Sequence, residues 1–161
     1  MPSPLLNLVL YQPDIPQNVG TILRLGACFG IPIDVIEPCG FVFDDRKMRR
    51  AGMDYARAAP PIRHVSWNAY RASAPQGRLV LLSVTGADRL DGFAFLPGDR
   101  LLLGQESAGV PQEVRAGADR CLTIPMRPGF RSLNVALAAA IASTEALRQL
   151  GGFALFSAPT P

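Results

Sequence analysis

The feature that most constrains this chain is a regular alternation between short, almost unbroken apolar runs and segments with helical spacing. The apolar runs occupy residues 5–11, 33–36, 62–65, 78–84, 101–103 and 121–124. Runs of this length without polar alternation are typical of strands that are covered on both faces. The alternation therefore predicts an α/β fold with a mainly parallel sheet and helices on both faces, in which the runs at 78–84 and 101–103 are central.

Helix boundaries are predicted from asparagine, proline and glycine. Asn18 is a predicted N-cap for the first helix, which Gly30 would end. Pro111 is suited to open a short helix over 112–118. The longest helix is predicted over 132–150. We expect a single domain over residues 1–152 and a flexible tail over 153–161.

Composition narrows the class of protein. With 48% hydrophobic and 18% charged residues, the 161-residue chain is not a disordered one. No apolar run reaches the roughly 18 residues of a membrane span, and residues 1–4 lack the charged start of a signal peptide, so a cytoplasmic protein is expected. The cysteines, Cys28, Cys39 and Cys121, are too widely spaced to predict a disulfide framework or a zinc site.

The net charge of +3 comes almost wholly from arginine, since Lys47 is the only lysine. Guanidinium groups suit bidentate contacts to phosphate, so a polyanionic partner is one explanation of this bias. A GC-rich coding sequence is the other explanation. The charge alone does not decide between them.

Three loops at the expected carboxyl ends of strands are candidate sites of chemistry: residues 13–18, 104–109 and 125–132. None carries a P-loop or a GxGxxG pattern, which disfavours ATP and NAD as ligands. Gly104 and Gly109 either let a ligand approach the backbone or form an ordinary turn with Glu106 in solvent.

The remaining polar candidates also allow two interpretations. Asn18 and Arg24 either belong to a site or are a helix cap and a solvated arginine. Residues 132–134 either bind a ligand carboxylate or cap the last helix. His64, the sole histidine, is assigned no role.

Taken together and in this order, the loops resemble the three motifs of SPOUT-class RNA 2'-O-methyltransferases. The motifs read PQNVGTILR at 16–24, GQESAGVP at 104–111, and IPM at 124–126 with SLN at 132–134. The chain is most similar to the small TrmL-type enzymes that methylate the tRNA wobble nucleotide, through NLVLYQP at 7–13, IEP at 36–38 and RRAGMDY at 49–55. This resemblance covers residues 5–152. It implies a parallel sheet with a deep C-terminal trefoil knot, and a homodimer whose two subunits complete each active site.

The resemblance also implies a reaction and its residues. The reaction is S-adenosylmethionine-dependent 2'-O-methylation of the ribose of the wobble nucleotide, a cytidine or modified uridine at position 34 of tRNA, without a metal. Residues expected to line the cofactor pocket are Leu82, Gly104, Ile124, Met126, Ser132 and Leu133. The expected catalytic set is Arg24, Asn18, Glu106 and Asn134. A guanidinium stays protonated in proteins, so Arg24 is expected to bind phosphate and stabilise the developing alkoxide rather than act as a base.

Contacts to tRNA phosphates are expected from Arg24 and from the basic segment of Arg46, Lys47, Arg49 and Arg50, for which a solvated helix face is the alternative. The chain departs from the TrmL-type pattern at residues 135–137, which read VAL where LSN is usual, and at Thr144, where tyrosine is common.

Three other functions remain open at this stage. One is methylation of another tRNA or rRNA position. Another is a non-catalytic RNA-binding dimer, raised by Ala136, although the joint presence of Asn18, Arg24, Glu106 and Asn134 favours an enzyme. The third is a metabolic α/β enzyme that uses a different adenosine ligand.

Overall fold

The structure, a computed structural model, describes residues 3–44, 46, 55–73 and 75–156. In these residues seven strands form one sheet: β1 (Leu6–Tyr11), β2 (Ile33–Ile36), β3 (Ile62–His64), β4 (Leu79–Leu82), β5 (Asp88–Arg89), β6 (Asp99–Leu103) and β7 (Arg120–Thr123). Their order is β3-β2-β1-β6-β4-β7-β5, and every pair is parallel. The predicted central strands, β4 and β6, lie inside the sheet.

Helices cover both faces of this sheet. They are α1 (Pro16–Phe29), α2 (Tyr55–Ala58), α3 (Trp67–Ala72), α4 (Gln112–Ala116) and α5 (Val135–Gln149). The long helices α1 and α5 pack on one face, against Leu8 and Leu101 among others. The short helices α3 and α4 contribute Tyr70 and Val114 to the other face, against Val9. Successive strand residues thus enter opposite halves of the core, which explains the unbroken apolar runs and confirms the predicted α/β class.

The boundaries of α1 differ in part from the prediction. Its N-cap is Ile15 and its first residue is Pro16, so the prediction of Asn18 as N-cap is wrong. Proline is well tolerated at the first helical position, where its missing N–H costs no hydrogen bond. The helix ends at Gly30, whose φ of +63° is the left-handed conformation expected of a glycine cap.

The last helix, α5, begins later than predicted. Asn134 is its N-cap, with a side-chain oxygen that accepts hydrogen bonds from the backbone N–H groups of Ala136 at 2.8 Å and Leu137 at 3.3 Å. The cap fixes Val135 as the first helical residue. Ser132 and Leu133 therefore belong to the preceding loop and not to the helix.

The sequence pattern did not predict β5. The position of this strand shows that one segment of the chain crosses over a neighbouring strand. β5 pairs with β7, so β7 lies between β4 and β5 although β4 and β5 follow each other in the chain. Residues 83–87 consequently pass over β7. Gly86 permits this crossing, because a Cβ there would lie 2.5 Å from the carbonyl carbon of Leu122.

The described part of the expected C-terminal tail, residues 153–156, packs against α1. The rings of Phe153 and Phe156 lie 5.7 and 6.3 Å from that of Phe29, measured between centroids. Residues 157–161 lie outside the described residues. Within the part of the chain that the structure describes, no helix is long and apolar enough to cross a membrane.

Candidate active site

A cleft of about 600 Å³ opens at the carboxyl ends of the adjacent strands β6, β4 and β7. Leu82 ends β4, Gly104 follows β6 and Ile124 follows β7, and all three line the cleft. The carboxyl ends of neighbouring parallel strands meet at one edge of the sheet, which is why residues distant in sequence share this cleft.

The other wall of the cleft comes from the segment between β7 and α5. Met126, Ser132 and Leu133 line it. The structure thus brings together all six residues that the sequence suggested for cofactor binding. Leu82, Met126 and Leu133 give the cleft apolar side chains and Ser132 gives it a hydroxyl, a mixture that is common in sites for small molecules.

Asn18, Glu106 and Asn134 meet at the rim of the cleft in one hydrogen-bonded chain. The Asn134 side-chain amide donates to Asn18 Oδ1 at 3.0 Å, and Asn18 Nδ2 donates to Glu106 Oε1 at 3.1 Å. Asn18 is 8% exposed, so its side chain is withdrawn from solvent. These hydrogen bonds join α1, the 104–109 loop and the start of α5, so Asn18 links three parts of the site although it does not cap its helix.

Asp14 extends this set of hydrogen bonds by a reciprocal contact with Glu106. The Asp14 backbone N–H donates to Glu106 Oε2, and the Glu106 backbone N–H donates to Asp14 Oδ1, both at 3.2 Å. The Ser107 hydroxyl donates to the other Asp14 oxygen. Burial raises the pKa of Glu106, and its hydrogen bond to the Asp14 carboxyl raises it further. The pKa of Asp14 is lowered, chiefly by hydrogen bonds from the Glu106 carboxyl and Ser107.

The 104–109 loop is a closed turn with a fixed shape. The backbones of Gln105 and Gly109 exchange two hydrogen bonds, of 2.8 and 2.9 Å. Gly109 has a φ of +64°, and a Cβ on Gly104 would lie 2.7 Å from Gly109. Both glycines are thus required by the turn, and the turn directs Glu106 toward Asn18 instead of leaving it in solvent.

Arg24 does not line the cleft of its own chain. It lies on the exposed side of α1, whereas Asn18 lies on the buried side. Its guanidinium carbon is 4.8 Å from the centroid of the Tyr55 ring, within the range of a cation–π contact. Arg46 is exposed, and its backbone N–H donates to Asp44 Oδ1 at 2.8 Å. Lys47, Arg49 and Arg50 lie outside the described residues.

Sequence reasoning missed three residues of the site, namely Asp14, Gln105 and Arg115. Gln105 Nε2 donates to the carbonyl oxygen of Gln12 at 3.0 Å. Arg115 lines the cleft and holds the crossing segment through Ser83 Oγ at 3.2 Å and Thr85 Oγ1 at 3.1 Å. Asp14 and Gln105 lie in loops already singled out by position, whereas nothing in the sequence marked Arg115.

In the described ranges, 3–44, 46, 55–73 and 75–156, histidine, cysteine, aspartate and glutamate form no group of three that could hold a metal ion. The free cysteines there are Cys28, Cys39 and Cys121.

A family model described as the SpoU rRNA Methylase family matches residues 5–144. The chain therefore belongs to this family of methyltransferases. A curated tRNA (cytidine(34)-2'-O)-methyltransferase from Beijerinckia indica is 55% identical over 149 residues, which cover 91% of this chain and 93% of that protein. The family resemblance seen in the sequence is thus confirmed.

Solved structures agree in fold. A structure from work on the 2-OH methylation of C/U34 on tRNA is 44% identical, with a TM-score of 0.85, and the match covers 91% of this chain and 97% of that one. The SpoU methyltransferase AviRb from Streptomyces viridochromogenes, in complex with AdoMet, is 28% identical with a TM-score of 0.79. That match covers 93% of this chain and 62% of AviRb.

Proposed function

We propose that this chain methylates the 2'-hydroxyl of nucleotide 34 in tRNA, a cytidine or modified uridine, with S-adenosylmethionine as donor. One observation carries the proposal. Residues from three separate loops converge on one cleft, and hydrogen bonds among Asn18, Glu106 and Asn134 hold those loops together. The protein in which they do so belongs to the SpoU methylase family. The names of the relatives support nucleotide 34 as the target, and a tRNA substrate supports a cytoplasmic location.

The cleft fits S-adenosylmethionine in size and lining. Leu82, Met126 and Leu133 would contact its apolar surfaces, and the backbone groups at Gly104 and Ile124 would bind the adenine edge. When bound, the donor supplies a methyl group on a sulfonium, so that a new O–C bond to the ribose replaces the C–S bond and S-adenosylhomocysteine and a proton leave. The residues of this chain have to hold the ribose hydroxyl in line with that methyl group.

We assign to Arg24 the contacts with the ribose 2'-hydroxyl and with the phosphate next to it. A guanidinium beside the reacting oxygen stabilises the negative charge that grows as the proton departs. Since Arg24 is exposed and does not line the cleft of its own chain, we assign it to the cleft of a partner subunit. The basic segment that includes Arg46, with Lys47, Arg49 and Arg50, would bind further tRNA phosphates.

A homodimer is therefore part of the proposal. The exposed side of α5 carries Leu137 and Ile141, which are 58% and 42% exposed. The neighbouring helix α1 exposes Arg24 and Cys28 on its outer side. An exposed apolar strip on the helix that packs next to the helix of Arg24 is the surface expected of an interface that brings Arg24 to a second cleft.

We also propose that the chain carries the C-terminal trefoil knot of the SPOUT fold. The crossing of residues 83–87 over β7 at Gly86 supports it, because β7 is inserted between two strands formed earlier in the chain. Most protein chains avoid threading of this kind.

The test is transfer of labelled methyl groups from S-adenosylmethionine to tRNA that lacks 2'-O-methylation at nucleotide 34, followed by mapping of the modified nucleotide. We expect label at nucleotide 34 alone, and loss of nearly all transfer in Arg24→Ala while S-adenosylhomocysteine binding is unchanged. Label at a different nucleotide would redirect the proposal to that position. No label with any tRNA or rRNA would overturn it.

A further inference from the structure

The loop between β7 and α5 contains a largely exposed aromatic side chain. Phe130 is 70% exposed, and no ring contact or cation–π contact involves it among the described residues. The preceding Gly129 has a φ of +94°, a turn that L side chains rarely adopt. Exposing a phenylalanine costs solvation free energy, so its position beside a ligand cleft needs an explanation.

Two arginines flank this phenylalanine. Arg127 and Arg131 are both exposed, and within the described part of the chain neither makes a hydrogen bond or an ion pair. This contrasts with Arg78, Arg89, Arg120 and Arg148, each of which pairs with a carboxylate. Among the described residues, Arg127 and Arg131 therefore carry unpaired positive charges that suit an anionic partner.

The position of the loop limits what that partner is. Met126, Ser132 and Leu133 of the same loop line the cleft, so Phe130 lies on the segment that borders the cleft opening. An exposed aromatic side chain with two arginines close to it in sequence, neither of them paired among the described residues, is a combination with which proteins bind single-stranded nucleic acid, because each base stacks on a ring while its phosphates meet cations.

We propose that Phe130 is a stacking platform for the base of a nucleotide that flanks the methylated ribose, with Arg127 and Arg131 bound to the adjacent phosphates. The proposal rests on the proposed RNA substrate and adds a binding site to it. Stacking would fix the flanking nucleotide on the protein and hold the target ribose over the cleft. The occupant is unpaired RNA, since bases within a duplex do not expose a face.

The experiment uses an anticodon stem-loop RNA with 2-aminopurine at nucleotide 33 or, in a second RNA, at nucleotide 35. Stacking on Phe130 should quench one of these reporters when the wild-type protein binds. Phe130→Ala should abolish that quenching and raise the Kd for RNA about 5- to 100-fold. Phe130→Tyr should restore both, because it restores the ring. The matched control is Leu155→Ala, since Leu155 is 74% exposed but belongs to the C-terminal turn.

The arginines give a second readout. Arg127→Gln and Arg131→Gln should each reduce the dependence of log K on log salt by about 0.7 for a lost single-strand phosphate contact. Binding of S-adenosylhomocysteine should stay at the wild-type level in all of these variants, which excludes collapse of the loop.

Each outcome is decisive. An unchanged RNA affinity and unchanged quenching in Phe130→Ala would overturn the platform, even if the wild-type enzyme methylates nucleotide 34. A shift of Phe130→Ala to a monomer in sedimentation would also overturn it, by showing that a second subunit covers the ring. If the wild-type protein binds the RNA with quenching but methylates none, the proposed function fails and the platform stands.

Discussion

Asn18 links three segments of the site because its side chain both donates and accepts. It receives a hydrogen bond from Asn134 and gives one to Glu106, and it does so while almost entirely buried. A buried amide with both functions satisfied fixes the relative positions of its partners, whereas the same group unpaired would destabilise the fold. The rim of the cleft is therefore held by side-chain chemistry and not by regular secondary structure.

Asn18→Ala should lower the free energy of unfolding by about 1–3 kcal/mol, since Glu106 Oε1 and Asn134 Nδ2 each lose a partner. It should also weaken S-adenosylhomocysteine binding, because the three loops lose their link. Thr21→Ala is the matched control on the same helix: its exposed hydroxyl contacts only the Gln17 carbonyl. Denaturant titration and calorimetry measure the two effects. Equal affinity in Asn18→Ala and wild type would show that the link does not shape the cleft.

Glu106 gives the site a pH dependence with a definite sign. Burial raises the pKa of Glu106 above its ordinary value of 4.5, so the folded state binds a proton that the unfolded state has already lost. This contribution to stability is present below pH 4.5 and is lost as the pH rises through the raised pKa. Asp14, with a lowered pKa, contributes in the opposite sense: its share is lost as the pH falls below its ordinary value of 3.8.

Glu106→Gln should therefore gain thermal stability relative to wild type as the pH rises from 4.5 to 7, since glutamine stays neutral over that range. Melting temperatures of the two proteins at a series of pH values test this. Asp14 has an ordinary pKa of 3.8 and a lower one in the folded protein, so its own titration lies below this pH range. A difference in melting temperature that is constant from pH 4.5 to 7 would contradict the raised pKa.

At the scale of elements, the crossing segment 83–87 depends on the absence of a side chain at Gly86. Gly86 passes so close to β7 that a Cβ would overlap the Leu122 and Thr123 backbone, at 2.5 and 2.7 Å. Ser83 and Val84 of the same segment line the cleft. A shift of the crossing would thus change the shape of the cleft.

Gly86→Ala should destabilise the protein by about 1–3 kcal/mol or more, because backbone atoms have no rotamer with which to move aside. S-adenosylhomocysteine affinity should fall with it. Gly92→Ala is the control, since a Cβ there meets nothing within 4 Å. Chemical denaturation of both variants distinguishes steric overlap from a general cost of replacing glycine. Equal stability of the two variants would show that the crossing has room to relax.

The elements also show where sequence reasoning succeeds and where it stops. β1, β2 and β6 were predictable because apolar runs report burial on two faces, and Gly30 was predictable because a left-handed cap favours glycine. β5 was not, because Asp88 and Arg89 become a strand only through pairing with β7. The cap role expected of Asn18 failed because Pro16 opens the helix earlier. The loops of the site were found by their place after strands, but their mutual hydrogen bonds depend on tertiary distance, which spacing does not encode.

At the scale of the whole molecule, α1 and α5 pack side by side on one face of the sheet and leave a strip uncovered. Leu137 and Ile141 are one helical turn apart on that strip.

Ile141→Glu should convert the proposed dimer to a monomer, because a carboxylate in an apolar interface would be desolvated without a partner. Sedimentation at several concentrations measures this, with Leu155→Glu as the control at an exposed apolar residue elsewhere. A dimer that survives Ile141→Glu would place the interface on another face.

The assignment of Arg24 to a neighbouring cleft makes a prediction that only mixed dimers can test. Val84→Trp is the second component, chosen because Val84 lines the cleft and a tryptophan there would fill it; calorimetry with S-adenosylhomocysteine verifies that it no longer binds. Alone, Arg24→Ala and Val84→Trp should each be inactive. After subunit exchange at equal concentrations, half of the dimers are mixed, and each mixed dimer combines an open cleft with an intact arginine from the other subunit. Methyl transfer should recover to about a quarter of the wild-type rate. If Arg24 served the cleft of its own chain, no dimer in the mixture would hold a complete site, and the mixture would stay as inactive as its components.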